Sequence, residues 1–418
     1  MSPRAIGKGM VFAAVVIGLS VAWGGEAVKP PRLEKLTGAE KDLFVRAFDA
    51  DAKRRDEARK KIGEWPPLAK AAAEELRTLI RKQWRFAPPN TGWKKPPGKK
   101  GGMRTIRVEK LGDREYFLHV PAGYTSQRNW PLLVSLHGAG GTGEGDYDWL
   151  WAKWERLWDG FVACPSGVPP GAQWFPEQRP FVLGMLNDVR KTFPIDDNRV
   201  ALHGFSNGGN GAWFYALYYP SLWCGVITRA GSPYREDLFK NLMNVGVAVV
   251  HGEKDSVIPA GRDRDAANAL KVLKYNVIHK EIPAGGHEPF DDKTNPELLP
   301  WLRKLERPAW PKKIVFRPPD DESPRAYWLE AGANGAAAAE VTAEVKEGNR
   351  VALTASGVGE MTLWLSDDLV DLDKPVVVVK DGLEVFQEAV PRRASDLVDW
   401  FAATGDRATA PVARIKVR

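Results

Sequence analysis

The sequence predicts an α/β fold, with a doubly wound, mostly parallel sheet followed by a smaller β-rich domain. Three observations predict it. Apolar strands alternate with helical segments through the middle of the chain, one of these strands runs directly into a G-x-S-x-G turn, and short strand-like segments replace the alternation beyond Trp310. The predicted segments are 1–27, a signal peptide; 28–102, helices and a linker; 103–308, the α/β domain; and 309–418, the β-rich domain.

The first residues have the pattern of an export signal. Arg4 and Lys8 give a positive start, residues 10–22 form an apolar run, and small residues at 20–22 or 25–27 offer a cleavage site. The run is shorter than the roughly 20 residues of a membrane-spanning helix, so a retained anchor is the alternative. The sequence therefore predicts an exported protein with no stable membrane span after cleavage.

Residues 33–86 are rich in Ala, Lys, Arg and Glu and predict two surface-packed helices, broken at Trp65-Pro66-Pro67. The Pro- and Gly-rich residues 88–102 predict a linker. From Met103 onward, two alternating segments predict a β-hairpin, and residues 131–137 are almost continuously apolar, as in a sheet that is covered on both faces.

Further strands are predicted at residues 161–164, 200–205, 225–228, 246–251 and 276–282, with helices at 177–193, 262–273 and 296–305. Beyond Trp310, eight short strands and one helix at 395–403 predict a β-sandwich with tight turns such as Asp381-Gly382.

Composition excludes several function classes. The net charge of +7 over 418 residues is spread along the chain, and no basic helix or zinc-type cysteine spacing accompanies it, so nucleic acid is not an expected partner.

The predicted sheet places Cys164 and Cys224 several strands apart, farther than the about 7 Å that a disulfide allows. Two free, buried thiols are expected. The sequence makes no prediction of oligomeric state.

The G-x-S-x-G pattern at Gly204, Ser206 and Gly208 follows an apolar strand and precedes an apolar helix. This context is typical of a nucleophile elbow, in which residues without side chains allow a sharp turn to expose the serine hydroxyl. Ser206 is therefore the predicted nucleophile.

A base and an acid are predicted later in the chain. Of the six histidines, His287 alone lies in a glycine-bearing loop after the last strand of the sheet, where its imidazole could reach Ser206. Asp255, at a strand end between the two, would orient it. The alternatives for the acid are Glu253, Glu236 and Asp237.

Backbone donors for a negatively charged oxygen are predicted on both sides of the serine. They are the N–H of Asn207 and that of Ala139 or Gly140, in the small-residue loop after the third strand. The same loop matches G-x-G-x-x-G, but the acidic residue of a dinucleotide site is missing, so no cofactor or metal is expected.

Trp174, in the loop 169–175, is a candidate aromatic wall for a sugar or an aromatic acid. Trp151, Trp154 and Trp158 are predicted to pack in the core.

Together, H-G-A-G-G, G-F-S-N-G-G, H-G-E-K-D-S-V-I-P and G-G-H resemble the motifs of the α/β-hydrolases, in the order serine, acid, histidine. The branch resembled includes secreted polysaccharide esterases, polyhydroxyalkanoate depolymerases and prolyl-oligopeptidase-like hydrolases. This resemblance implies hydrolysis of a small-molecule or polysaccharide ester through an acyl-enzyme, without metal or cofactor. The alternatives are a serine peptidase of the prolyl-oligopeptidase-like type and a non-catalytic binding scaffold.

Overall fold

The computed structural model of the chain describes residues 32–49, 51–82, 101–167, 174–332 and 339–418. The predicted signal peptide, most of the predicted linker and residues 169–173 of the Trp174 loop lie outside these ranges. Within them, none of the helices has the length and apolar character needed to cross a bilayer.

Eight strands form the central sheet in the order β1-β2-β4-β3-β5-β6-β7-β8. The first three strands of that order pair antiparallel and the others pair parallel, as expected for a hairpin followed by βαβ units. The strands are β1 (Gly101–Val108), β2 (Gly112–His119), β3 (Trp130–Leu136), β4 (Phe161–Pro165), β5 (Ile195–Phe205), β6 (Gly225–Arg229), β7 (Gly246–Gly252) and β8 (Val277–Ile282).

Helices cover both faces of this sheet, because separate hydrophobic clusters form on either side of it. After the N-terminal α1 (Gly38–Arg46), α2 (Ala52–Gly63) and α3 (Lys70–Lys82), the helices are α4 (Gly143–Asp146), α5 (Glu155–Trp158), α6 (Arg179–Thr192), α7 (Asn207–Tyr218), α8 (Gly261–Val272) and α9 (Asp291–Lys304). The doubly wound α/β fold predicted from the sequence is therefore confirmed.

Two details of the helices differ from the prediction. The N-terminal region has three helices rather than two, because Asp51 accepts a hydrogen bond from the Arg54 amide and so starts a new helix after a break. Helix α9 begins at Asp291 rather than at Pro296. Acidic residues in its first turn interact favourably with the helix dipole.

The C-terminal residues form two further sheets, β10-β11-β14-β17 and β16-β15-β13-β12-β9. Their elements are β9 (Lys313–Phe316), β10 (Arg325–Ala326), β11 (Leu329–Ala331), β12 (Glu340–Lys346), β13 (Arg350–Ser356), β14 (Met361–Leu365), β15 (Val376–Lys380), β16 (Leu383–Glu388), α10 (Ala394–Thr404) and β17 (Ala413–Val417). The predicted 326–329 strand is divided at Tyr327, whose φ of 53° interrupts the extended backbone. The β-rich C-terminal region is confirmed.

One hydrophobic cluster contains the N-terminal helices, both C-terminal sheets and α10. Phe44 of α1 and Ile80 of α3, for example, are fully buried in the same cluster as Trp328 and Leu397. The N-terminal helices therefore stabilise the β-rich region through a shared core, which local sequence patterns did not predict.

Buried ion pairs join this second core to the central sheet. Arg307, just after α9, donates to both oxygens of Asp406 at 2.8 and 3.0 Å, and Arg407 donates to Asp197 at 2.9 Å. All four side chains are buried. Burial alone would raise the pKa of Asp406, but the charge and hydrogen bonds of Arg307 outweigh it and lower that pKa below its ordinary range.

Candidate active site

The strand β5 ends in a strained turn that presents Ser206. This residue has φ 58° and ψ −122°, a conformation that residues with side chains rarely adopt. The turn is held by hydrogen bonds at both ends: the Ser206 amide donates to the Arg229 carbonyl at 2.9 Å, and the Asn210 amide donates to the Ser206 carbonyl at 3.0 Å. The strain is therefore built into the junction of the sheet and α7.

The two glycines of the motif are required by close backbone contacts. A Cβ atom at Gly204 would lie 1.8 Å from the Gly208 carbonyl oxygen, and one at Gly208 would lie 1.8 Å from the Leu136 carbonyl oxygen. The elbow is thus packed directly on the end of β3, which brings Ser206 next to the loop that follows that strand.

His287 contacts both Ser206 and Asp255. Its Nε2 lies 2.9 Å from the Ser206 Oγ, and its Nδ1 lies 2.7 Å from the Asp255 Oδ2. Ser206 follows β5, Asp255 follows β7 and His287 follows β8, so the carboxyl ends of three parallel strands bring them to one edge of the sheet. The structure thus brings together the three residues that the sequence analysis selected.

The Asp255 carboxylate is fully buried and held in place by its own loop. Its Oδ1 accepts hydrogen bonds from the amides of Val257 and Ile258 at 2.8 and 2.9 Å. Burial alone would raise the pKa of Asp255, but the hydrogen bonds from His287 and the two amides outweigh it and lower the pKa below its ordinary value. The carboxylate is therefore ionised and oriented to accept a hydrogen bond from the Nδ1–H of His287.

The alternative acids lie elsewhere. The Glu253 carboxylate accepts a hydrogen bond from the Ala284 amide, and Asp237 forms an ion pair with Arg235 at 2.8 Å. Glu236 starts the turn of 3-10 helix that includes Asp237. Asp255 is therefore the acid that the fold orients toward His287.

The loop after β3 runs against the nucleophile. A Cβ atom at Gly138 would lie 3.3 Å from the Ser206 Cβ. Ala139 is therefore the next residue after one that lies close to the serine. Gly140 has φ 72°, and the Gly141 amide closes the turn onto the Gly138 carbonyl at 3.2 Å. On the other side, Asn207 is the first residue of α7, where the helix dipole favours negative charge. The predicted oxyanion donors therefore flank Ser206.

A buried histidine shapes this loop. His137 Nδ1 lies 2.7 Å from the Gly138 carbonyl, and its Nε2 lies 2.9 Å from the Gly167 amide, which can only donate. His137 therefore carries its proton on Nδ1. Burial lowers the pKa of His137, which favours this neutral form.

Trp174 differs from its prediction as an aromatic wall. Its side chain is fully buried, its Nε1 donates to the His137 carbonyl at 2.9 Å, and its ring packs edge-on against the His137 imidazole. Since the indole has no exposed surface, it supports the loop after β3 rather than facing a ligand. The prediction was wrong because the contact between Trp174 and His137, 37 positions apart, is tertiary and leaves no local pattern in the sequence.

Two other aromatic side chains are exposed beside the nucleophile. Trp149 is 55% exposed and packs on Phe205, the residue before Ser206, while Tyr234 is equally exposed and accepts a hydrogen bond from Asn210 at 3.1 Å. Tyr234 also borders an apolar cavity of about 400 Å³ along α7, which is lined by Phe175, Pro176, Phe214, Leu217, Tyr218, Tyr234 and Arg235. As predicted, Trp151 and Trp158 are buried in the core, and Trp154 is partly buried against it.

A buried polar network underneath the elbow was missed by the sequence analysis. Arg229, at the end of β6, is 1% exposed, and its side chain donates to His203 Nε2 at 3.1 Å and to the Pro289 carbonyl at 2.7 Å. His203 in turn contacts Ser135, which donates to Asp146. Burial raises the pKa of Asp146 to about 6 and lowers that of Arg229 to about 10. The sequence did contain a signal for this network, namely polar residues within otherwise apolar strands.

Cys164 and Cys224 are both free and buried, as predicted. Burial raises the pKa of each thiol above its ordinary value, which keeps both protonated and unreactive at neutral pH.

Part of the chain is similar to known esterases. The phospholipase/carboxylesterase family model matches residues 184–294, which contain Ser206, Asp255 and His287. The bifunctional acetylxylan esterase/xylanase XynS20E of Neocallimastix patriciarum is 28% identical over 195 residues, which are 44% of this chain and 28% of the relative. Probable feruloyl esterase C of Aspergillus terreus is 25% identical over 171 residues, 39% of this chain and 63% of the relative.

The chain thus spans less than two thirds of the length of these curated relatives. A solved thermostable esterase matches with 24% identity and a TM-score of 0.45, over 50% of this chain and 63% of that one. The central sheet with its helices has the α/β-hydrolase fold, as the sequence predicted, and residues 184–294 are similar to the phospholipase/carboxylesterase family. The prolyl-oligopeptidase-like branch stays a prediction.

Proposed function

We propose that this protein is an exported serine esterase that hydrolyses carboxylic esters through an acyl-enzyme formed on Ser206. The observation that carries the proposal is the continuous hydrogen-bonded series Ser206 Oγ, His287 and Asp255, with contacts of 2.9 and 2.7 Å. A serine hydroxyl is a weak nucleophile until an adjacent base takes its proton, and this series provides that base and its orienting acid.

In the first half of the reaction, Ser206 Oγ attacks the ester carbonyl carbon while its proton passes to His287 Nε2. The tetrahedral intermediate carries its negative charge on the former carbonyl oxygen, which the amides of Asn207 and of Ala139 or Gly140 stabilise. The bond to the alcohol oxygen then breaks as His287 returns the proton to that oxygen, and the acyl group remains on Ser206.

In the second half, water takes the place of the alcohol. His287 accepts a proton from the water as its oxygen attacks the acyl carbon, and the proton then returns to Ser206 Oγ as the acid leaves. Asp255 stabilises the imidazolium in both halves without taking the proton itself.

We further propose a polysaccharide-linked ester as substrate. The names of the two relatives refer to acetylxylan, an acetylated polysaccharide, and to feruloyl esters. The exposed rings of Trp149 and Tyr234 support this choice, because aromatic faces pack well against sugar rings and aromatic acids. Export, proposed from Arg4, Lys8 and the apolar residues 10–22, would bring the enzyme to such a substrate.

Labelling with a fluorophosphonate tests the function directly. The wild type should be labelled on Ser206 and Ser206→Ala should not, while Ser232→Ala, a change at a nearby serine, should be labelled like the wild type. Hydrolysis of acetyl, feruloyl and longer acyl p-nitrophenyl esters should exceed that of peptide amides. If neither the wild type nor either variant were labelled, the result would instead favour the binding scaffold. A preference for amides would favour the peptidase.

A further inference from the structure

A second imidazole lies behind Asp255. His251, near the end of β7, is fully buried, and its Nδ1 lies 2.8 Å from the Asp263 Oδ2 of α8. Its Nε2 lies 2.7 Å from the Ile258 carbonyl and 3.3 Å from the Asp255 Oδ2. The oxygen of Asp255 that faces His287 is therefore shared between two imidazoles.

The contacts of His251 determine its protonation. The Ile258 carbonyl can only accept, so Nε2 carries a proton. Nδ1 faces the Asp263 Oδ2, and the other oxygen of that carboxyl group accepts a hydrogen bond from Trp213 Nε1 at 2.8 Å, so Nδ1 donates as well when Asp263 is ionised. Two donating nitrogens make the ring an imidazolium.

The electrostatics of the pair favour the same form. Burial would lower the pKa of His251, but the hydrogen bond and charge of Asp263 outweigh it and raise that pKa above its ordinary value. Burial also raises the pKa of Asp263, which would favour a neutral carboxyl group. Hydrogen bonds from His251, Trp213 and the Gly231 backbone all favour its ionised form, and for this reason the ion pair is the better description.

Other charged groups surround this pair without replacing it. The strand β8 places Glu281 opposite His251 in register, but the Glu281 carboxylate is held by Arg264 of α8 at 2.6 Å. The titratable and charged groups on the loop of His251 and on the neighbouring elements are Asp255, Asp263, Arg264, His279, Glu281 and His287. Of these, the structure shows ion pairs to His251 only from Asp255 and Asp263 among the described residues.

We infer that His251 is a positioning residue that stays positively charged, anchors the Asp255 loop and shares the Asp255 charge with His287. This inference rests on the proposed function. The anchoring comes from the contacts of His251 with the Ile258 carbonyl and with the Asp255 Oδ2 that also faces His287. Its charge lies against the Asp255 Oδ2 that also faces His287, so losing this charge should change the electrostatics of the Ser206, His287 and Asp255 series.

The test is the pH profile of kcat/KM on a p-nitrophenyl ester. In His251→Gln, which keeps a side-chain donor but removes the charge, the acidic limb should move up by roughly one pH unit, since the lost charge contacts the carboxylate that pairs with His287 and such charges interact appreciably at the effective dielectric of proteins. We also expect kcat to fall about tenfold from the loosened loop. The matched control is His279→Gln, on the adjacent strand β8, which should leave the limb in place.

A merely structural role for His251 would lower the rate without moving the limb, and that result would overturn the inference. Long-range ¹⁵N–¹H spectra of the wild type provide a readout that needs neither a variant nor activity. His251 should show both ring nitrogens protonated at pH 7.5, and a neutral ring would equally overturn the inference. If Ser206 is not labelled by fluorophosphonate, the proposed function fails while the spectra still decide the charge on His251.

Discussion

The side chain of Arg229 donates a hydrogen bond to the carbonyl of Pro289 at 2.7 Å, two residues after His287. The carbonyl of the same arginine accepts the amide of Ser206 at 2.9 Å. One buried residue therefore connects the turn that carries Ser206 to the loop that carries His287. Ser206 and His287 lie 81 positions apart in the chain, so their 2.9 Å contact depends on such connections.

We expect Arg229→Met to lower kcat by about 10- to 100-fold, because a small displacement of a base from its nucleophile has effects of this size. The change also leaves the Pro289 carbonyl without this donor, which should cost about 1–3 kcal/mol of the free energy of unfolding. Kinetics and denaturant unfolding measure the two effects. Arg235→Met is the control, since its partner Asp237 is on the surface; equal losses in both variants would contradict the role of Arg229.

Asp255→Asn should reduce kcat by about 10⁴-fold with little change in stability, because the amide favours the wrong tautomer of His287. Glu253→Gln, a change of the same type two residues away on the surface, should change kcat less than about threefold. Steady-state kinetics on one ester separates them. If the two variants behaved alike, Asp255 would not be the orienting acid.

Gly208→Ala should prevent the elbow from forming, because its Cβ would lie 1.8 Å from the Leu136 carbonyl oxygen. Overpacking against backbone costs about 3 kcal/mol or more, and we expect a large fall in melting temperature and loss of activity. Gly63→Ala, at the end of α2 with no atom within 4 Å of the added Cβ, should be neutral or slightly stabilising. A Gly208→Ala protein as stable as the wild type would refute the close packing of the elbow on β3.

The Arg307–Asp406 pair predicts a pH-dependent stability difference. In the wild type, the pKa of Asp406 is lowered on folding, so its contribution is present above the unfolded pKa of about 4 and is lost as pH falls below it. Arg307→Met leaves a buried carboxylate without its main partner and should cost about 3–5 kcal/mol at pH 7.

This deficit should shrink as the pH falls toward 4, because Asp406 in the variant can be protonated and a neutral carboxyl group is tolerated in the interior. Denaturant unfolding at pH 7 and pH 4.5 measures the difference. A deficit that is the same at both values would show that packing, rather than charge, determines the effect of Arg307.

Local patterns were sufficient to predict which three residues meet at one edge of the sheet. Ser206 lies in a short motif whose glycines are required by 1.8 Å backbone contacts, and Asp255 and His287 follow strands whose order an α/β sheet determines. The edge at which they meet was therefore predictable from the positions of the strand ends.

The supporting residues were not predictable in this way. In the sequence, Arg229 has the pattern of an exposed charged residue at the end of a strand, because its partners Pro289 and Thr294 come about 60 positions later. Trp174 is buried against His137 by contacts that no periodicity encodes, and Phe44 joins a core formed mostly by residues beyond 310. Contacts of this kind depend on tertiary packing, which local sequence does not specify.

The most direct test of the acyl-enzyme mechanism is the mass of the enzyme after it is mixed with p-nitrophenyl acetate and rapidly quenched. We predict that the wild type gains one acetyl group on the peptide containing Ser206, together with a burst of p-nitrophenol, and that His287→Ala gains none. Turnover of the ester without any acetyl group on Ser206, or an acetyl group on another residue, would contradict a mechanism built on Ser206, His287 and Asp255.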